Sequence, residues 1–175
     1  MPAAVTRTRP AGLVTLLIAY AAFVVLGLPD GLLGVAWPSI QRTFGVPLDA
    51  MGLLLLPGTI GYMLASTLSG RVVGRWGIAA FLLGGAAIRA LGLMGYASAP
   101  TWALLLLASF VNGIGTGTVD SGFNTYIATN YNAGRMSWLH ASFGLGATIG
   151  PLIMTAILTG GRDWQNGYLI VAALQ

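Results

Sequence analysis

Asn112 to Tyr131, NGIGTGTVDSGFNTYIATNY, is a helix-length segment of an otherwise apolar chain that carries one carboxylate, Asp120, and one amide, Asn124, a single helical turn apart. Residues four apart share one face of a helix, so the two polar groups project together. Gly113, Gly115, Gly117 and Gly122 lower the profile around them and let neighbouring backbones approach closely. A charge at membrane depth is expensive and marks function by default. The stretch therefore reads as a membrane helix, packed in a bundle, with a polar site on it.

Composition agrees. Hydrophobic residues make up 56% of the chain and charged residues 7%, where a soluble domain carries about a quarter charged residues. Mean hydropathy is +0.81. The fold class is all-α, a polytopic membrane bundle. At about 20 apolar residues per span, 175 residues hold roughly six helices and no separate soluble domain. The net charge of +4 comes from scattered arginines, with no basic patch and interleaved aromatics, so no nucleic acid is expected as a partner. With one histidine and no glutamate, lysine or cysteine, metal clusters, Cys/His dyads, Schiff-base chemistry and disulfides are all set aside. The chain is expected to be no enzyme and to need no metal or cofactor. A nucleotide loop at GIGTG lacks the strand and second motif it would need.

Outward from the quoted stretch, residues 1–10 read as a cytoplasmic tail and 11–175 as the bundle. The helices are expected at about 11–41, 48–69, 78–97, 101–131, 136–158 and 164–175, the last incomplete. Arg7 and Arg9 before an apolar run, with Ala19-Tyr20-Ala21 beyond, could pass for a signal peptide. However, the apolar stretch runs on to Leu28, which makes it a first span. Pro29 is expected to kink that span. With the N-terminus cytoplasmic, Arg7, Arg9, Arg71, Arg75 and Arg135 fall inside, while Arg42 and Arg162 fall outside beside Asp49 and Asp163. An N-inside, multi-pass protein of the cell inner (plasma) membrane is expected.

The chain also repeats itself at an interval of about ninety residues, as a duplicated three-helix unit would. Gly27-x-x-Asp30 matches Gly117-x-x-Asp120, and Thr59-Ile60-Gly61 matches Thr148-Ile149-Gly150. An odd number of helices per unit makes the copies inverted in the membrane, a 3+3 inverted repeat.

On these residues the chain resembles the N-terminal half of a major facilitator superfamily transporter, and within it the fucose-permease-like sugar/proton symporters. The resemblance is carried by Asp30 before a Trp37-Pro38 helix end, by GIGTGTVDSGFN, and by WLHASFGLGATIGP from Trp138 to Pro151. It implies that acids in the first and fourth helices serve proton coupling and substrate binding, roles carried to Asp30 and Asp120 with Asn124 as a cavity ligand. The superfamily's signature loop, Gly-x-x-x-Asp-Arg-x-Gly, is partly kept in Gly70, Arg71, Arg75 and Gly77. Gly74 stands where the acid belongs.

Other polar positions keep two readings. Asp30 either titrates or caps a helix break. Arg89, in mid-span, either touches solute or forms a structural ion pair with Asp30 or Asp120, which would hold the acid ionised. His140 either relays protons with Asp120 or is a neutral imidazole bonded between helices. Trp37, Trp102 and Trp164, near helix ends, fit interfacial belts. Two functions follow. One is the N-terminal half of a proton-coupled transporter of a sugar or other small solute, working by alternating access with a C-terminal half or a second copy. The other is a non-transporting accessory subunit, derived from a transporter, that buries its cavity face against other membrane proteins.

Overall fold

The computed structural model describes residues 12–175, which form five helices: α1 (Leu13–Phe44), α2 (Ala50–Ser98), α3 (Trp102–Asn130), α4 (Ala133–Thr159) and α5 (Gln165–Ala173). The expected tail at 1–10 lies outside the described residues. Four of the helices are long and apolar enough to cross a membrane. As a straight rod, α2 with its 49 residues would be about 74 Å long, more than twice a bilayer core of about 30 Å. It is instead two spans, 50–76 and 78–98, broken at Gly77, whose φ of 80° and ψ of 162° belong to a region open essentially to glycine alone.

Contacts at the glycines fix the direction of each span. Against α3, Gly58 of the first arm of α2 lies beside Gly113 and Tyr62 lies beside Gly117, so the two run parallel. On the second arm Gly85, Gly92 and Gly95 meet Thr118, Asn112 and Ala108 in descending order. The second arm is therefore antiparallel to α3, and the two arms of α2 are antiparallel to each other. Along α1 and α4, Gly146 meets Val24 and Gly150 meets Leu28, so this pair is parallel. Finally, α5 enters where α1 ends, with the Trp164 indole donating to Thr43 Oγ1 at 3.1 Å, and stacks Tyr168 on Tyr96 at 4.8 Å. Its nine residues rise about 14 Å, roughly half a bilayer core.

The expected half-bundle is present, with five spans and the short α5 in the sixth position. The repeat shows in its pairing as well. If α1 and the two arms of α2 correspond to α3, α4 and α5, then the α1–α4 seam maps onto the seam between α3 and the first arm. Both seams are built the same way, by glycines that let one backbone rest on another. A Cβ at Gly113 would run into the Gly58 carbonyl, and one at Gly146 into the Val24 carbonyl. Dispersion at such close approach, without any hydrophobic drive in lipid, holds membrane helices together.

Several boundaries differ from expectation. The second span runs to residue 76, beyond the expected 69, because nothing before Gly77 breaks it. α1 continues through Pro29 and Pro38 to Phe44 and stops at Gly45, left-handed at φ 63°, whose N–H bonds the Gln41 carbonyl. α4 starts at Ala133, three residues early, because the Asn132 side chain accepts the Arg135 N–H at 3.1 Å and caps it.

The interfacial-belt expectation fails for Trp37 and Trp164, each only 3% exposed. They sit in an aromatic cluster with Phe44 and Trp102, at ring separations of 5.9 to 6.3 Å, where the ends of α1, α3 and α5 converge. At the opposite end Trp76 and Trp138 are exposed, by 68% and 65%.

Candidate functional cavity

One face of α3 carries a polar stripe at four-residue spacing: Asn112, Thr116, Asp120 and Asn124. Thr116 satisfies its hydroxyl within the helix, donating to the Asn112 carbonyl at 2.9 Å. Asp120 has no such recourse and is served by other side chains. Tyr62 Oη donates to Oδ2 at 2.7 Å, and Asn124 Nδ2 donates to Oδ1 at 3.0 Å. Tyr62 comes within reach because its backbone lies against Gly117, which has no side chain to hold it off.

A cavity of about 390 Å³ opens beside this stripe, lined by Asp30, Asp120, Tyr62, Asn112, Tyr96 and Tyr168 among others. Its size falls in the range of roughly 300–1,000 Å³ usual for small-molecule sites. The structure thus brings Asp30 and Asp120 to a single cavity. Asp30 is exposed there and has no hydrogen-bond or ion-pair partner among the described residues. The two acids are not adjacent. Phe23 faces Phe123 at 5.9 Å and Trp37 faces Trp102 at 6.2 Å, so on these antiparallel helices Asp30 falls level with Asn112. Asp120 lies two turns further along α3, about 12 Å at 1.5 Å per residue.

Arg89 lies off this cavity, behind α1. It is 1% exposed, and its guanidinium donates from Nη2 to the Leu26 carbonyl and from Nη1 to Gln175 Oε1 at 3.3 Å. Among the described residues neither acid comes within salt-bridge distance of it, although Asp30 is close enough to interact with Arg89 electrostatically. Pro29 cannot donate to the carbonyl of Val25, and Arg89 binds the next carbonyl along, within the continuous helix. The arginine therefore braces the turn of α1 that ends at Asp30.

His140 is exposed on α4, edge-on to Phe23 at 6.2 Å, and does not line the cavity; Phe143, a turn further, does. Gly70, Arg71, Arg75 and Gly77 are all exposed around the turn of α2, and a side chain at Gly74 would meet nothing within 4 Å. Asn124 touches the site only through Asp120.

Four residues of the site escaped the sequence reading. Asn112 could have been found by extending the four-residue stripe backwards from Asp120. Tyr62, Tyr96 and Tyr168 carry no signal, because single tyrosines in apolar helices are ordinary.

Comparison with known proteins agrees with this architecture. A profile described as Major Facilitator Superfamily matches residues 15–174. The chain is 31% identical over 138 residues to sodium-dependent glucose transporter 1A of Mus musculus, a match covering 77% of this chain and 32% of the mouse protein. It is 31% identical over 140 residues to an uncharacterized MFS-type transporter of Yersinia pestis, covering 78% and 36% respectively. Against the glucose/mannose transporter GlcP of Bacillus subtilis identity is 23% over 157 residues, covering 89% and 38%. The chain spans about a third of the length of these relatives. With nearly every described residue inside the profile, and five alternating spans and the short α5 paired as an inverted repeat, the chain belongs to the major facilitator superfamily and has the architecture of its N-terminal half.

Proposed function

We propose that this chain is the N-terminal half of a secondary active transporter that moves a sugar or other small solute together with protons, by alternating access. The observation that carries this is the placement of Asp30 and Asp120, matched by the repeat, in one cavity between helices. Acids at membrane depth are retained where a polar solute or a proton passes.

The two acids are suited to different work. Asp120, with a donor on each oxygen, is a fixed polar anchor. Asp30, bare and facing the cavity, is the acid whose proton exchanges with water or solute. Arg89 holds the turn of α1 that precedes it, through the Leu26 carbonyl. Alternating access also needs a second bundle across the cavity, supplied by a C-terminal half or a second copy. The relatives from mouse and Bacillus carry glucose in their names, which supports a sugar, and the resemblance to fucose-permease-like symporters points the same way. Arg71, Arg75 and Arg135 mark the cytoplasmic end, so the N-terminus lies inside, and the membrane we assign to this helical bundle is the cell's inner membrane.

The mouse relative's name makes the coupling ion the point to test. In proteoliposomes holding the complete transporter, glucose uptake should follow an imposed pH gradient and be indifferent to sodium. Asp30→Asn should abolish the response to pH while leaving exchange of solute down its own gradient. Uptake driven only by sodium would end the proton assignment, and unaltered pH-driven uptake in Asp30→Asn would end the role of Asp30.

A further inference from the structure

Six buried side-chain polar atoms lack a hydrogen-bond partner among the described residues. Only two of them, Tyr168 Oη and Asn112 Oδ1, belong to residues that line the cavity. An orphaned polar group in a buried site costs about 1–3 kcal/mol, and each instance in a folded protein asks for a ligand or a bound water. Both atoms sit at one end of the cavity. Asn112 is level with Asp30, as the ring pairs show. On the second arm of α2 it meets Gly92, one turn from Tyr96, on which Tyr168 stacks.

Tyr168 itself is 2% exposed. One side of its ring is held by the stack on Tyr96 and its edge by Trp164, at 5.7 Å and 87°. The phenol is thus fixed in place with its hydroxyl uncommitted. Rigid placement of this kind lowers the entropic cost of engaging a ligand.

We propose that Tyr168 and Asn112 form a hydroxyl-binding subsite for a neutral polyhydroxylated solute, beside Asp30 and two turns away from the Asp120 cluster. A solute hydroxyl donates to Asn112 Oδ1, and a second accepts from Tyr168 Oη. The stacked tyrosines offer apolar surface to the carbon-bound hydrogens between them. Carrying no charge, the two groups favour a neutral solute over an ionic one. This inference rests on the transporter reading for its solute, and it adds α5 to the elements that contact it.

The test is equilibrium binding of glucose to the complete transporter in lipid nanodiscs, followed by tryptophan fluorescence, which reports through Trp164. Tyr168→Phe removes one oxygen and no carbon. It should weaken glucose binding about tenfold, the equivalent of one hydrogen bond of about 1.4 kcal/mol. Asn112→Ala should do the same. Because Tyr168 Oη bonds nothing among the described residues, Tyr168→Phe should leave solute-free thermal stability unchanged, a readout that a structural hydroxyl would lower. Among monodeoxy-glucoses, one should bind the wild type as weakly as glucose binds Tyr168→Phe, with no further loss when analogue and variant are combined.

Equal glucose affinity in wild type and both variants overturns the subsite and leaves the transporter reading intact. Absence of glucose binding to the wild-type transporter also overturns it. Failure of pH-driven uptake with the tenfold losses present removes the proton assignment and keeps the subsite.

Discussion

An aspartate at mid-span costs roughly 2.5–3.5 kcal/mol on insertion scales, and the two in this chain meet that cost differently. Asp120 is offset by the hydroxyl of Tyr62 and the amide of Asn124, whereas Asp30 opens onto the cavity with no hydrogen-bond partner among the described residues. Tyr62→Phe should therefore destabilise the chain by about 1.5–3 kcal/mol, the value of a hydrogen bond to a charged group. Thermal unfolding in detergent would measure this, and a second substitution, Asp120→Asn, should recover part of the loss. Arg89→Met, similar in length, removes a donor from the Leu26 carbonyl and from Gln175 Oε1. It should lower the unfolding temperature more than Tyr62→Phe does, and Arg89→Lys should restore only part, since one ammonium cannot span the two acceptors of a planar guanidinium. Charge in an apolar chain is rare enough that Asp30, Asp120, Asn124 and Arg89 could be picked out by eye. What Arg89 holds could not be, because a backbone carbonyl leaves no mark in the sequence. Tyr168 and Asn112 come together only through helix pairing.

The helices themselves are legible because hydropathy fixes which stretches lie in lipid, while their ends are set by caps and glycines. Residues 70–76 were expected as a loop on the strength of glycine and arginine. Arginine is a good helix former, however, and one glycine does not stop a helix, so the chain turns only at Gly77. Gly77→Ala should cost about 1–3 kcal/mol, since the backbone there is closed to a side chain. The seams give a sharper comparison. Gly113→Val and Gly146→Val each drive a branched side chain into a backbone carbonyl and should sharply reduce the yield of monodisperse protein after extraction. Gly84→Ala and Gly144→Ala, where nothing lies within 4 Å, should leave it unchanged. Equal yields across all four would mean that the seams do not hold the helices.

Across the whole molecule, the end holding the turn of α2 and the α3–α4 connection carries Arg71, Arg75 and Arg135 and no acid, while the other end balances Arg42 and Arg162 against Asp49 and Asp163. The chain has no cysteine, so single cysteines report sidedness directly. Gly74→Cys and Gly134→Cys should react with an impermeant maleimide only in inside-out vesicles, and Pro100→Cys only in intact cells. The reverse pattern would invert the orientation. The pairing of spans reaches further still. Each glycine seam joins a helix from the first hundred residues to one translated later: α1 waits for α4, and the first arm of α2 waits for α3. While the ribosome is still short of α3, Gly27, Gly31, Gly58 and Gly61 can face only lipid tails, and no early span can lock to its final neighbour. Assembly of this bundle must then follow its translation instead of keeping step with it, and the exposed early spans are the natural clients of an insertion chaperone.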